Sequence, residues 1–347
     1  MTERGTQPAE AAVVSAAPSA VPSALHVNDA AHTAERLVRE ARRRGYRWDL
    51  LPRAAADASP DLWQGTSGRA RRALVGGAWL ARLAWQARRH DVVHVHSATT
   101  LHHTRPVADR FVLHCHGSDV RMAQYDPART GEIRAGLRDA QAVFFSTPDL
   151  AEHVLPHRAD AQLLPVPIDV AELPAWEPSV PAQVVFASRW EAVKGLDAQL
   201  ATANALVAAL AGRAEVVGLD WGPAASEAAA LGVRLLPKLD HPAYLRLLAG
   251  ATAVVGQAAG ILSASELEAM GTGAPLAVPA PLPLYAGSPP PVYGSSPESV
   301  ADAVVALVTD TLAHDAGAAR AWVRAEHGVD RGVDLLRDTY LRVLASR

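Results

Sequence analysis

In the second half of this 347-residue chain, the segment SRWEAVKG sets Arg189 just after an apolar run and brings Lys194 and Gly195 to the start of a helix. Two fixed cations beside a helix N-terminus suit a diphosphate, because the exposed amides and the helix dipole favour anions. Arginine grips oxygens in bidentate fashion, while lysine supplies a compact charge. A plain strand-to-helix loop with solvated bases would look similar, but only two lysines occur in the chain, Lys194 and Lys238. That scarcity gives each a claim to a role. Further on, Ser263-Ala264-Ser265-Glu266 matches the capping box, so a helix is expected from Ser263 with amides open to a second anion. Glu268 follows five residues into that helix and has the chemistry to accept from sugar or ribose hydroxyls. A glutamate in a first turn more often answers the helix dipole.

The first half is rich in histidine: His94-x-His96, His102-His103 and His114-x-His116, with Asp119 close behind. Residues i and i+2 of a strand share a face, so such pairs can chelate zinc, and Asp119 could add a carboxylate. This opens a metal-hydrolase alternative. Hydrogen-bonded histidines at strand ends are the plainer explanation.

Short runs rich in Val, Leu and Phe alternate with amphipathic segments along the chain. Ser23–Asn28, Asp91–His96, Phe111–His116, Ala142–Ser146 and Gln162–Val166 read as strands, as do Val184–Ser188, Ala214–Leu219, Arg234–Pro237, Ala253–Gly256 and Leu276–Val278. Strands separated by helices imply βαβ units and parallel sheets. LPAWEPSVP, residues 173–181, carries three prolines and reads as a linker between two lobes, 23–172 and 182–328. Ligands of doubly wound sheets bind beyond the carboxyl ends of the strands, so the cleft between lobes is the natural site.

Composition excludes several classes. Net charge is −3, which argues against general nucleic-acid binding. A lone cysteine, Cys115, rules out an internal disulfide framework and fits a reducing, cytoplasmic setting. No apolar stretch reaches the ~18 residues of a membrane span. Residues 1–22, interrupted by Pro18 and Pro22, read as a disordered tail rather than a signal peptide. Arg69–Arg89, with Trp79 and Trp85, forms a basic amphipathic helix. It is expected to cover the sheet, with peripheral membrane contact as the less favoured alternative.

Taken together, ASRWEAVKGLDAQLATANAL, ELEAMGTGAPLAV and the tail ARAWVRAEHGVDRGVDLLRDTYLRVL, with DVVHVHS, VLHCHGSD and LLPVPID in the first half, resemble the retaining GT-B glycosyltransferases of the group 1 (family 4) type. The resemblance runs from residue 25 onward. It implies an α/β fold of two Rossmann-like, doubly wound lobes facing each other across a cleft. The first lobe would take the acceptor and the second the donor, with the 329–347 helix packing back on the first lobe. It also implies a metal-independent transferase, without cofactor, that moves a sugar from a nucleotide diphosphate to a hydroxyl or amine of a small or lipid-linked acceptor. UDP is favoured slightly over GDP or dTDP. By position, Arg189 and Lys194 fall on the diphosphate site, Glu268 on the ribose-binding glutamate and His116 beside the reacting sugar. Lys238 and Leu239 fall where backbone groups contact the base, Ser263 and Ser265 at the donor-side helix terminus, and His32 and Asp119 on the acceptor side. Two departures stand out. Gly260 replaces the first glutamate of E-x7-E, and the first loop, Asp29-Ala30-Ala31-His32-Thr33, lacks the family's glycines. These departures motivate a silent GT-B partner protein as a further alternative, and a sugar-nucleotide epimerase shares the architecture. The Ala/Arg-rich composition suggests a bacterial enzyme of cell-envelope or specialised-metabolite pathways.

Overall fold

The computed structural model describes residues 21–53, 65–108 and 110–346. Residues 1–20 of the expected tail lie outside the described residues. Strands β1 (Ala24–Val27), β2 (Trp48–Leu51), β3 (Val92–His96), β4 (Val112–Cys115), β5 (Ala142–Phe145) and β6 (Gln162–Leu163) form one sheet, ordered β2-β1-β3-β4-β5-β6. All its pairings are parallel. The second sheet contains β7 (Gln183–Phe186), β8 (Glu215–Leu219), β9 (Arg234–Leu236), β10 (Ala253–Val255) and β11 (Leu276–Ala277), ordered β11-β10-β7-β8-β9 and again parallel. The architecture is the expected one of two doubly wound lobes. β2 is the strand the sequence reading passed over, because WDLL is short and carries an aspartate.

Alternation along the strands gives each face of the first sheet its own character. Leu25, Val27, Val93, Val95, Leu113 and Cys115 join one aliphatic core. Ala24, Trp48, Val92, Val112 and Phe144 point to the other face, where the C-terminal helix Val329–Ala345 lays Val333, Leu336 and Tyr340 against them. Gly332 permits this close approach, since a Cβ there would lie 3.0 Å from Leu37. The last helix of the chain thus completes the core of the first lobe.

The backbone crosses between lobes twice, and the crossings are joined. The Ile168 amide donates to His327 O at 2.7 Å, and the Val329 amide donates to Ile168 O at 3.2 Å. The proline-rich 173–181 segment is not free. Trp176 donates through its amide to Thr272 O and through Nε1 to Ala251 O, and the Ser179 amide donates to Gly250 O. The basic helix runs Gly65–Ala87, with Leu83 buried while Leu74 and Trp85 are exposed. Among the described residues no helix is long and apolar enough to cross a membrane.

Leu336 is fully buried between the last helix and the first sheet. Leu336→Ala should therefore cost about 2–5 kcal/mol by urea denaturation, with the loss reported by Trp48 fluorescence in the first lobe. A change below about 1 kcal/mol would show that the helix does not support that lobe.

Candidate active site between the lobes

The carboxyl ends of β7 and β10 flank the point where strand order reverses in the second sheet, and both anion-binding segments sit there. After β7 the chain turns through Ala192–Lys194 into Gly195, whose φ is +73°, and then into the helix Leu196–Ala209. A Cβ on Gly195 would lie 2.7 Å from the Ala258 carbonyl oxygen. The turn is held by the Ala258 amide donating to Lys194 O at 2.9 Å. Only glycine satisfies both the conformation and the contact, so the Lys-Gly pair has a local structural cause.

Lys194 is half-buried, and burial pushes its ammonium below the ordinary lysine value. Glu266 opposes the shift, while Arg189 and Arg121 reinforce it. Arg121 comes from the first lobe, where Asp149 holds it at 2.5 Å. Lys194 thus feels a cation from its own lobe and one from the other. Arg189 lines a cleft cavity of about 690 Å³ together with Asn28, Ser97, His116 and Asp119 of the first lobe. It lies against Glu191 and 5.7 Å from the Trp221 ring, which Lys238 Nζ covers at 4.7 Å. Leu239 packs into the second-lobe core. Trp221 and Arg121 were not singled out from sequence, because nothing in their neighbours announces them.

Ser263 caps the helix Ala264–Thr272 in the expected capping box. Its partner Glu266 does more than cap. Glu266 is fully buried, with Oε1 accepting from Ser188 Oγ at 2.9 Å and the Gln257 amide at 3.0 Å. Its Oε2 accepts from the Ser263 amide and hydroxyl. Ser265 is half-buried at the helix start, and its hydroxyl reaches the Tyr244 phenol. Gly260 has φ +71°, and a Cβ there would lie 3.7 Å from the Pro281 carbonyl oxygen, so no carboxylate occupies the place of the first glutamate.

Three residues are placed differently from the expectation. Glu268 is buried rather than open to the cleft. Its Oε1 is held by Arg36 of the first-lobe helix Thr33–Arg43 and by His241 Nε2 at 2.8 Å. Its Oε2 makes no hydrogen bond among the described residues. Asp119 is neither an open acceptor contact nor a metal ligand, because it accepts from the amides of Ala98, His116, Gly117 and Val120. It thereby shapes the loop that carries His116. His32 turns away from the acceptor side and stacks on His241 across the lobe interface, ring centroids 4.4 Å apart. The glycine-free first loop still takes glycine-like geometry, with Asn28, Ala31 and His32 at φ +71°, +51° and +58°. Asn28 secures it by donating to His96 O at 2.8 Å.

A second cavity of about 690 Å³ lies wholly in the first lobe and shares Asn28, Arg53 and Thr99 with the first. Arg69, Arg129 and His102 line it, with Glu132 as the one carboxylate among its lining residues.

No protein-family profile matches the chain, and no curated protein matches it in sequence. Its fold does match solved structures. Sucrose-phosphate synthase from Thermosynechococcus elongatus superposes with a TM-score of 0.66 at 16% identity, over 94% of this chain and 100% of the other. Anabaena HepE in complex with UDP-glucose gives 0.62 at 14% identity, over 94% and 100%. AviGT4, a glycosyltransferase involved in avilamycin A biosynthesis, gives 0.59 at 19% identity, over 94% and 99%. The chain has the GT-B fold, two Rossmann-like lobes with a cleft between them.

Breaking a buried ion pair strands a charge. Arg36→Ala should cost about 3–5 kcal/mol by urea denaturation, because Glu268 loses its cross-lobe partner in a buried site; an unchanged midpoint would mean the pair is not formed in solution. A second expectation concerns pH. His26, His94, His96 and His114 are fully buried, and burial lowers each, His26 to about 3. The unfolded chain takes up protons near pH 6.5 that the fold refuses, so stability is complete above that pH and falls as pH drops toward 3. The loss should approach about 1.4 kcal/mol per pH unit for each ring. Urea midpoints that stay flat from pH 7 to 5 would show that these rings are not desolvated.

Proposed function

We propose that this protein is a glycosyltransferase that moves a sugar from a nucleotide diphosphate, UDP before GDP or dTDP, to an acceptor held by the first lobe, with retention of anomeric configuration. The observation that carries the reading is a cleft lined by Arg189 of the second lobe and His116 of the first, with Lys194 at the glycine turn a few residues after Arg189. Cleavage of the bond between the anomeric carbon and the diphosphate puts charge on the leaving oxygen. Arg189 and Lys194 are preorganised for that charge, an effect worth several kcal/mol per donor group. The acceptor oxygen attacks from the leaving-group face, the new carbon–oxygen bond forms as the old one breaks, and the acceptor proton passes to a diphosphate oxygen.

HepE, solved with UDP-glucose, supports a UDP donor by analogy of fold. The glycine at 260, where the resemblance would place a hydroxyl-reading carboxylate, suits a deoxy or otherwise unusual sugar. The first-lobe cavity, with Arg69, Arg129 and His102 in its wall, suits an acceptor bearing an acidic group. The product belongs by this reading to cell-envelope or specialised-metabolite chemistry.

The test pairs binding with turnover. UDP at about 100 times its dissociation constant should add ~2.7 kcal/mol of stability in a thermal-shift measurement. Lys194→Ala and Arg189→Ala should each cut transfer by about two orders of magnitude or more. Wild-type rates in both variants would dismiss the diphosphate site. Binding without transfer across a broad acceptor panel would favour a silent partner protein instead.

A further inference from the structure

The histidines of the first sheet form a continuous chain that ends in the cleft. His26 of β1 lies in register with His94 of β3, and His96 lies in register with His114 of β4. Because i and i+2 share a face, all of these rings lie on the face covered by the last helix. Four contacts thread them together. His94 Nδ1 lies 2.5 Å from the Tyr340 hydroxyl, which lies 3.4 Å from His26 Nε2. His26 Nδ1 lies 2.9 Å from His96 Nε2, and His96 Nδ1 lies 3.0 Å from His116 Nε2. His94, His26, His96 and Tyr340 are fully buried, whereas His116 lines the cleft cavity.

Burial keeps every member neutral. It drives His26 to about 3, His116 to about 4, and His94 and His96 well below the ordinary histidine value, while the Tyr340 phenol is raised. A neutral imidazole has one N–H and one lone pair. Each contact consumes one of each, so the tautomer of any ring dictates that of the next. An arrangement in which Tyr340 accepts from both His94 and His26 strands its own buried O–H, which leaves two polarities that satisfy all four contacts and the hydroxyl. They differ at the inner end, where His94 Nε2 is buried without a partner. In one polarity that atom is a bare lone pair; in the other it is an orphaned N–H. Buried orphan donors are the rarer and costlier of the two. The inner end therefore selects the polarity in which every proton points outward. His94 Nδ1–H donates to Tyr340, Tyr340 to His26, His26 Nδ1–H to His96, and His96 Nδ1–H to His116.

We infer that His94, Tyr340, His26 and His96 are positioning residues that fix the tautomer of His116, so that it presents Nδ1–H to an oxygen of the ligand in the cleft. His116 is thereby a hydrogen-bond donor, not a base and not a lone pair set beside a cationic sugar carbon. The tautomer itself is independent of the proposed reaction; its bearing on sugar transfer rests on that reading.

Nitrogen-15 NMR of the full chain with labelled histidine reads each tautomer directly. His94, His26, His96 and His116 should all be in the Nδ1–H form, the minor one for imidazole in water. His116 in the Nε2–H form, or a mixture, overturns the inference. So does a stoichiometric transition metal on the purified protein, because metal ligation would then set the tautomers. His96→Leu should release His116 to the Nε2–H form. His114→Phe should leave His116 unchanged, since His114 has no partner of good geometry on either ring nitrogen. If His96→Leu does not fold, the wild-type spectrum decides by itself. In the transfer assay His96→Leu should lower kcat about tenfold with donor KM little changed. Correct tautomers with an unchanged kcat would keep the relay and overturn its part in transfer.

Discussion

The second lobe's side of the cleft depends on one buried carboxylate. Glu266 gathers the end of β7 through Ser188, the end of β10 through the Gln257 amide, and the start of the helix Ala264–Thr272 through Ser263. Four donors reach its two oxygens, which is what a fully desolvated carboxylate requires. With Lys194 nearby, the same charge supports the ammonium that burial would otherwise suppress. Gly256 is part of the arrangement, since a Cβ there would lie 2.9 Å from the Glu266 side chain. The placement of the segment that carries Arg189 and Lys194 thus follows from a fully buried residue.

The first lobe uses the same device at Asp119, whose carboxylate ties the end of β3 to the loop after β4 through four amides. Each lobe therefore presents a flexible-looking loop made rigid by a buried acid. On one side the loop carries Arg189 and Lys194, and on the other it carries His116. Groups that must meet developing charge without reorganising are expected on such supports.

Much of this was legible in the residues. The apolar runs marked ten of the eleven strands, because a buried parallel strand is short and rich in Val, Leu and Phe. The capping box located the helix at Ser263, and Lys-Gly marked the turn at Lys194, because both are local rules. What escaped is non-local. Arg36 meets Glu268 across 232 residues, and nothing near either one announces the pair. Asp119 read as a ligand because its type permits ligation, yet the fold spends it on amides. His32 read as an acceptor contact from its place in the first loop, but its left-handed backbone turns the ring toward His241.

The two crossings of the backbone are bonded to each other at Ile168 and Val329, and Arg36 also donates to Pro167 O at 3.1 Å, one residue away. Any rocking of the lobes has its pivot there, and displacement grows with distance from a pivot. The Arg36–Glu268 clasp, being beside it, moves little as the mouth widens. Glu268 thus stays a fixed point between the lobes whatever the width of the mouth.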